Sequence, residues 1–297
     1  MLTGVHILLT YGCTYECDHC FLHCSPRAEG TFTVAGLRSL YDQIDSCGTI
    51  DTVYFEGGEP FLYYPLMLEG IFMAHSRGIK VGIVTNGYWG TSEEDAELWL
   101  RPLVGLGIHD LSISDDKFHF GDEVSPAGRA IAAAQKLGLP VDSICIEAPT
   151  VRDEGEVGKG EPIVGGGVRF RGRAADKLTV GLPRRPCSEF TACDREELAE
   201  PGRVHIDPFG NVMVCQGISI GNVWQSELEQ LMREHDPQAH PIIGPLLRGG
   251  PQALAEAYGV AHDEGYVDEC HFCYDVRRKL LDRFPESLTP RQVYGVD

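Results

Sequence analysis

From residue 5 onward the sequence repeats one unit: a short run of β-branched and large apolar residues, a turn, then an amphipathic stretch with helical spacing. Residues 5–10 (VHILLT) begin the series, and Thr33 is placed to cap a helix running to residue 46. Runs at 52–55, 80–85, 110–114 and 141–147 read as further strands, with helical stretches at 65–76, 92–103 and 126–137 between them, and 168–170 offers a sixth strand. Strands alternating with helices at roughly 30-residue spacing predict parallel βαβ units. Five or six units make a partial (β/α)6 barrel of the TIM type or an open twisted sheet. In either, reactive groups collect at the C-terminal ends of the strands.

The 297 residues suffice for one such α/β domain plus a smaller appendage. Residues 152–167 (RDEGEVGKGEPIVGGG) read as a loop, and the pattern changes across 174–186, so the expected division is 1–175 and 176–297. In the second part, 203–207 and 211–215 flank Pro208-Phe209-Gly210, a hairpin signal. Helical stretches follow at 226–235, 251–258 and 275–284.

Lys and Arg total 25 against 44 Asp and Glu, a formal charge of −19. Such a surface repels phosphate backbones, and Arg169, Arg171 and Arg173 on alternate positions make too weak a basic footprint for a nucleic-acid partner. No stretch reaches membrane-spanning length, and residues 5–9 are too short for a signal-peptide core. The expected location is the cytoplasm. Eleven cysteines are many for that reducing compartment, where clustered thiols serve as metal ligands or redox groups rather than disulfides. Cys13, Cys17, Cys20 and Cys24 crowd the N-terminus, and Cys187, Cys193, Cys215, Cys270 and Cys273 lie in the last third. Cys47 and Cys145 stand alone and read as small buried apolar residues.

Cys13-Thr-Tyr-Glu-Cys17-Asp-His-Cys20 is a C-x3-C-x2-C spacing directly after the first strand. Compact thiolate loops of this kind hold iron–sulfur clusters. Three thiolates bind three irons of a cubane and leave the fourth open to chelate a cofactor. A zinc site completed by Cys24, His19 or His23 is the alternative. Gly57-Gly58-Glu59-Pro60 follows the second strand, Thr85-Asn86-Gly87 closes the third, and Ser112 and Ser114 sit on the fourth. Neither G-x4-G-K-[ST] nor G-x-G-x-x-G occurs after a strand.

The cysteine spacing and the GGEP segment in register with it resemble the radical S-adenosylmethionine (radical SAM) superfamily over roughly residues 5–175. His19 stands where that family more often has Tyr, Phe or Trp. The resemblance implies a [4Fe–4S] cluster on Cys13, Cys17 and Cys20, with S-adenosylmethionine bound beside it. Gly57, Gly58, Glu59 and Pro60 would line its methionine moiety, Asn86 and Ser112 would meet its ribose or carboxylate, and His19 would lie near the adenine. Ile144 and Ile146 could flank the adenine or simply fill the core.

Gly210-x4-Cys215 and Cys270-x2-Cys273, the latter placed before a helix, look like the SPASM or twitch extensions of the same superfamily. These imply one auxiliary [4Fe–4S] cluster on Cys193, Cys215, Cys270 and Cys273, with Cys187 in reserve; a structural zinc is the alternative. The implied activity is reductive cleavage of S-adenosylmethionine to a 5′-deoxyadenosyl radical that abstracts hydrogen from a small-molecule or peptide substrate. An external one-electron donor of ferredoxin or flavodoxin type would drive it. A peptide-modifying maturase is one form this takes, and a non-catalytic zinc-stabilised binding protein is the reading from a different class. Residues 114–119 (SDDKFH) should lie at the mouth of the barrel as a substrate loop or a capped turn, with Glu147 and Arg171 as further polar candidates.

Overall fold

The computed structural model describes residues 1–121, 125–152 and 163–296. Most of the loop expected at 152–167 therefore lies outside the described residues. The βα series begins with β1 (Gly4–Thr10), α1 (Val34–Cys47), β2 (Thr52–Gly57), α2 (Tyr64–His75) and β3 (Lys80–Thr85). It continues with α3 (Glu93–Val104), β4 (Asp110–Ser114), α4 (Pro126–Lys136) and β5 (Val141–Ile144). Local chemistry sets the helix starts: the side chains of Thr33, Ser92 and Ser125 each accept a backbone N–H of the first turn.

Period-2 alternation gives the sheet two different faces. Val5, Ile7, Val53, Phe55, Ile83, Leu111 and Ile113 are buried beneath the helices. On the other face stand His6, Tyr54, Glu56, Asp110 and Ser112, all half-buried. That face is a polar concave lumen.

The sixth parallel strand is not residues 168–170. It is β6 (Arg203–Ile206), which pairs with β1 on the side away from β2, so that His6 lies opposite His205. Residues 168–170 run without strand pairing because Gly166 and Gly167 turn the chain at φ 104 and 82. Val168 and Phe170 instead enter a separate apolar cluster with Ala174 and Val267. The expected hairpin is present: β6 pairs antiparallel with β7 (Asn211–Cys215), which pairs with β8 (Ile218–Asn222). The sheet order is β8-β7-β6-β1-β2-β3-β4-β5, an open partial barrel whose edges are β5 and β8. One sheet thus draws strands from both sides of the expected boundary at residue 175.

The remaining helices are α5 (Leu228–Glu234), α6 (Ile243–Tyr258) and α7 (Glu269–Lys279). Helix α6 begins earlier than expected and kinks at Gly249 and Gly250. Helix α7 replaces the stretch expected at 275–284, because Asp268 caps it by accepting the His271 N–H at 2.7 Å. Cys270 and Cys273 therefore sit in its first turns, not before it. No helix among the described residues is long and apolar enough to cross a membrane.

Candidate metal centres

The chain leaves β1 into the cysteine loop, which is tied down at several points. The Cys13 N–H donates to Ser25 O at 3.0 Å, and the buried Tyr11 hydroxyl donates to Asp207 Oδ2 at 3.0 Å. Arg173 reaches in from a one-turn helix (Arg173–Lys177), donating to Cys17 O at 2.7 Å and Cys24 O at 2.8 Å, while its own N–H donates to Cys20 O at 2.9 Å. Cys13, Cys17, Cys20 and Cys24 are all free and face one cavity of about 150 Å³. Burial pushes the Cys13 thiol up to about 11, whereas a hydrogen bond from Cys24 brings Cys20 down to about 6.

The glycines after β2 meet a close approach of two backbones. A Cβ on Gly58 would lie 2.1 Å from Gly12 O, and one on Gly57, at φ 123, would lie 2.4 Å from Thr10 O. The segment locks there through Gly58 N–H to Thr10 O (2.7 Å) and Glu59 N–H to Gly12 O (2.9 Å). The Glu59 side chain is fully buried and does not line the cavity. It accepts from Phe61 N–H at 2.9 Å, the Thr85 hydroxyl at 2.8 Å and Asn86 N–H at 2.7 Å, joining the ends of β2 and β3. Pro60, also buried, starts the short 3-10 turn that follows.

Asn86 lines the cavity and donates to Thr14 Oγ1 at 3.0 Å and to Cys13 Sγ at 3.6 Å. Ser112 is bonded to Asp110 Oδ2 at 2.9 Å; Ser114, two residues on, is the serine that lines the cavity. His19 lines it too, stacked on Phe118 at 4.6 Å, and burial lowers its pKa to about 4. In the loop after β4, Asp116 caps the helical turn Lys117–Phe120 and binds His119 Nδ1 at 2.8 Å, and His119 lines the cavity. Ile144 and Ile146 are half-buried; Glu147 is exposed and lies away from the cavity.

The sequence reading missed a polar trio in the lumen. Glu56 binds His6 Nδ1 at 2.9 Å and His205 Nδ1 at 2.8 Å, and Glu56 also lines the cysteine cavity. Burial pushes its carboxyl up, but the two imidazoles outweigh that and hold it well below the usual carboxylate range. Residues this far apart in sequence give no local signal. Pairing of β1 with β2 sets Glu56 beside His6, and pairing of β6 with β1 adds His205.

At the far side of the sheet, Cys193, Cys215, Cys270 and Cys273 line a second, smaller cavity together. Cys187 is elsewhere, bonded to Asp263 O at 3.0 Å. Arg171 is not at the surface; its guanidinium packs over the ring of Phe21 at 5.1 Å, next to Cys20, without lining the N-terminal cavity. It is buried against the second group, with its guanidinium 3.0 Å from Cys215 Sγ and 3.1 Å from Glu196. Arg277, also buried, lines the same cavity. Two interior guanidinium groups beside four thiols suit an anionic thiolate centre.

The Radical SAM superfamily profile matches residues 7–156. A protein named for peptide biosynthesis, YydG of Bacillus subtilis (strain 168), is 29% identical over 115 residues, 39% of this chain and 36% of that protein. The S-adenosylmethionine-dependent nucleotide dehydratase of Selenomonas ruminantium is 30% identical over 87 residues, 29% of this chain and 31% of its own. The chain thus matches about a third of the length of each of these relatives. Among solved structures, BtrN in complex with AdoMet and 2-DOIA superposes with a TM-score of 0.52 at 16% identity, covering 80% of this chain and 83% of that one. At that identity the likeness is one of fold.

Proposed function

Because the chain belongs to the radical SAM superfamily, and is therefore an enzyme using S-adenosylmethionine and a [4Fe–4S] cluster, we propose that Cys13, Cys17 and Cys20 hold that cluster. The observation that carries the assignment is the convergence of these three thiols with Gly57, Gly58 and Asn86 on one cavity at the C-terminal ends of β1, β2 and β3. When bound, cluster and cofactor together supply a 5′-deoxyadenosyl radical able to take hydrogen from an unactivated C–H bond.

The chain's own residues hold and shield. Arg173 fixes the carbonyls around Cys17 and Cys24, and Asn86 directs an N–H at the Cys13 sulfur, an arrangement that favours its thiolate. Gly57 and Gly58 bring backbone to the wall where the cofactor's methionine end fits, with Pro60 and Glu59 bracing that segment from behind. His19 offers a ring for the adenine, and Ser114 replaces Ser112 as the hydroxyl on the cavity side. Cys193, Cys215, Cys270 and Cys273 form the site of one auxiliary [4Fe–4S] cluster in the 176–297 segment. They line one cavity together with the buried Arg171 and Arg277.

The substrate is a peptide or a small molecule; the match to YydG supports the first and the match to the nucleotide dehydratase the second. An external ferredoxin- or flavodoxin-type protein is the proposed electron source. Anaerobically reconstituted protein, reduced with dithionite, should form 5′-deoxyadenosine and methionine from S-adenosylmethionine. Replacing Cys13, Cys17 and Cys20 with Ala should abolish this and reduce iron from about eight to about four per chain. Zinc in place of iron, with no 5′-deoxyadenosine from the cluster-loaded wild type, would refute the reading.

A further inference from the structure

We propose that the cleft walled by Arg152, Arg169, Arg185 and Arg195 binds an anionic group, a carboxylate or phosphate, of the substrate; calling that ligand the substrate rests on the enzyme reading above, whereas anion binding does not. The cleft has a volume of about 280 Å³. Among the described residues, four guanidinium groups line it against two carboxylates, Asp268 and Glu269. Both carboxylates are engaged: Asp268 caps α7, and Glu269 pairs with Arg195 at 2.6 Å. Arg185 pairs with Glu189 at 2.8 Å. Arg152 and Arg169 have no ion-pair partner among the described residues. A surplus of positive charge in one concavity is unexpected in a chain of net charge −19, where acidic neighbours are the rule. Planar guanidinium forks grip carboxylate and phosphate oxygens two at a time.

Position turns this anion site into a substrate site. Phe170 in its wall belongs to the apolar cluster that includes Phe118, and Phe118 stacks on His19 at 4.6 Å, in the wall of the N-terminal cysteine cavity. Arg195 and Glu269 line both the cleft and the cavity of Cys193, Cys215, Cys270 and Cys273. The cleft therefore shares wall residues with the second thiol centre and connects to the wall of the first through one apolar cluster. A ligand anchored here by its charge sits beside the second centre.

An acidic peptide segment and a phosphorylated small molecule carry the same chemistry, so the test has two arms. Inorganic pyrophosphate and a hexaglutamate peptide are titrated calorimetrically into the anaerobic, cluster-loaded protein with S-adenosylmethionine present. At least one should bind one-to-one with Kd below about 1 mM at low salt, and weaken as ionic strength rises. Arg169→Glu and Arg152→Glu should each lower affinity about tenfold or more, while Arg101→Glu, an exposed residue on α3, leaves it unchanged. Binding of pyrophosphate alone assigns a phosphorylated small molecule, and of hexaglutamate alone an acidic peptide; binding of both leaves the shared anion chemistry standing. No binding of either probe, or binding that neither reversal affects, overturns the proposal. Substrate-free 5′-deoxyadenosine formation should be the same in wild type and Arg101→Glu. Its absence from both would sink the enzyme reading while leaving the anion site to be judged on the titration.

Discussion

A carboxylate buried as completely as Glu59 makes stability depend on pH. Burial pushes its carboxyl up from 4.5 to about 7 despite three accepted hydrogen bonds. In the unfolded chain the proton leaves near 4.5, whereas the folded protein keeps it until about 7. The folded state therefore holds the extra proton between those values. Its contribution is full below the lower one and is lost as pH rises through the higher. Glu59→Gln, which cannot titrate, should flatten that part of the profile; chemical denaturation across the window, with parallel profiles for the two proteins, would contradict the assignment. Arg173 makes a second test. Arg173→Gln removes a charged grip on Cys17 O and Cys24 O, each such bond contributing about 1.5–3 kcal/mol. We expect iron at the N-terminal site to fall while the circular dichroism of the fold stays; unchanged iron would show that the loop holds its shape unaided.

Among the connecting elements, the β2–α2 turn tolerates least. Gly58→Ala would force a Cβ to 2.1 Å from the Gly12 carbonyl, a backbone atom that cannot step aside, and should cost about 3 kcal/mol or more. Gly78→Ala, at φ 73 with nothing within 4 Å, meets only the left-handed backbone penalty of about 1–2 kcal/mol. Urea denaturation of the two variants separates a steric clash from simple strain, and equal losses would be the failing result. The same elements show what the sequence reveals. Helices α1 and α3 and strands β3 and β4 were legible because a capping Thr or Ser, an apolar period and a turn agree locally. Helix α7 was misplaced because its cap, Asp268, precedes a Cys-His-Phe-Cys stretch with little helical signature of its own. Residues 168–170 alternate as a strand should, yet the turn at Gly166 and Gly167 sends Val168 and Phe170 into a separate apolar cluster instead.

The whole molecule is governed by a pairing no local pattern announces, β6 beside β1. The cysteine spacing and GGEP were readable as motifs. The His6–Glu56–His205 trio, the burial of Arg171 and the arginine cleft needed the assembled sheet. Contacts across the expected boundary are polar and buried: Tyr11 to Asp207, Glu56 to His205, and Gln43 to the Val223 carbonyl at 3.0 Å. Unfolding should therefore be one cooperative event, with the fluorescence of Trp89 and of Trp224, studied in single-tryptophan variants, giving coincident transitions. Separated transitions would mean that the two segments fold independently.

That pairing also orders events during synthesis. The inner edge of β1 has no partner until residue 206 leaves the ribosome, some 10–40 s after β1 itself at about 5–20 residues per second. Over that interval the nascent chain shows a bare row of amides beside uncapped thiols, a template for strand addition by other chains. Metal loading in the cell should thus follow completion of translation, and slowing elongation over the middle of the message should lower soluble yield more than it lowers the activity of each molecule that survives.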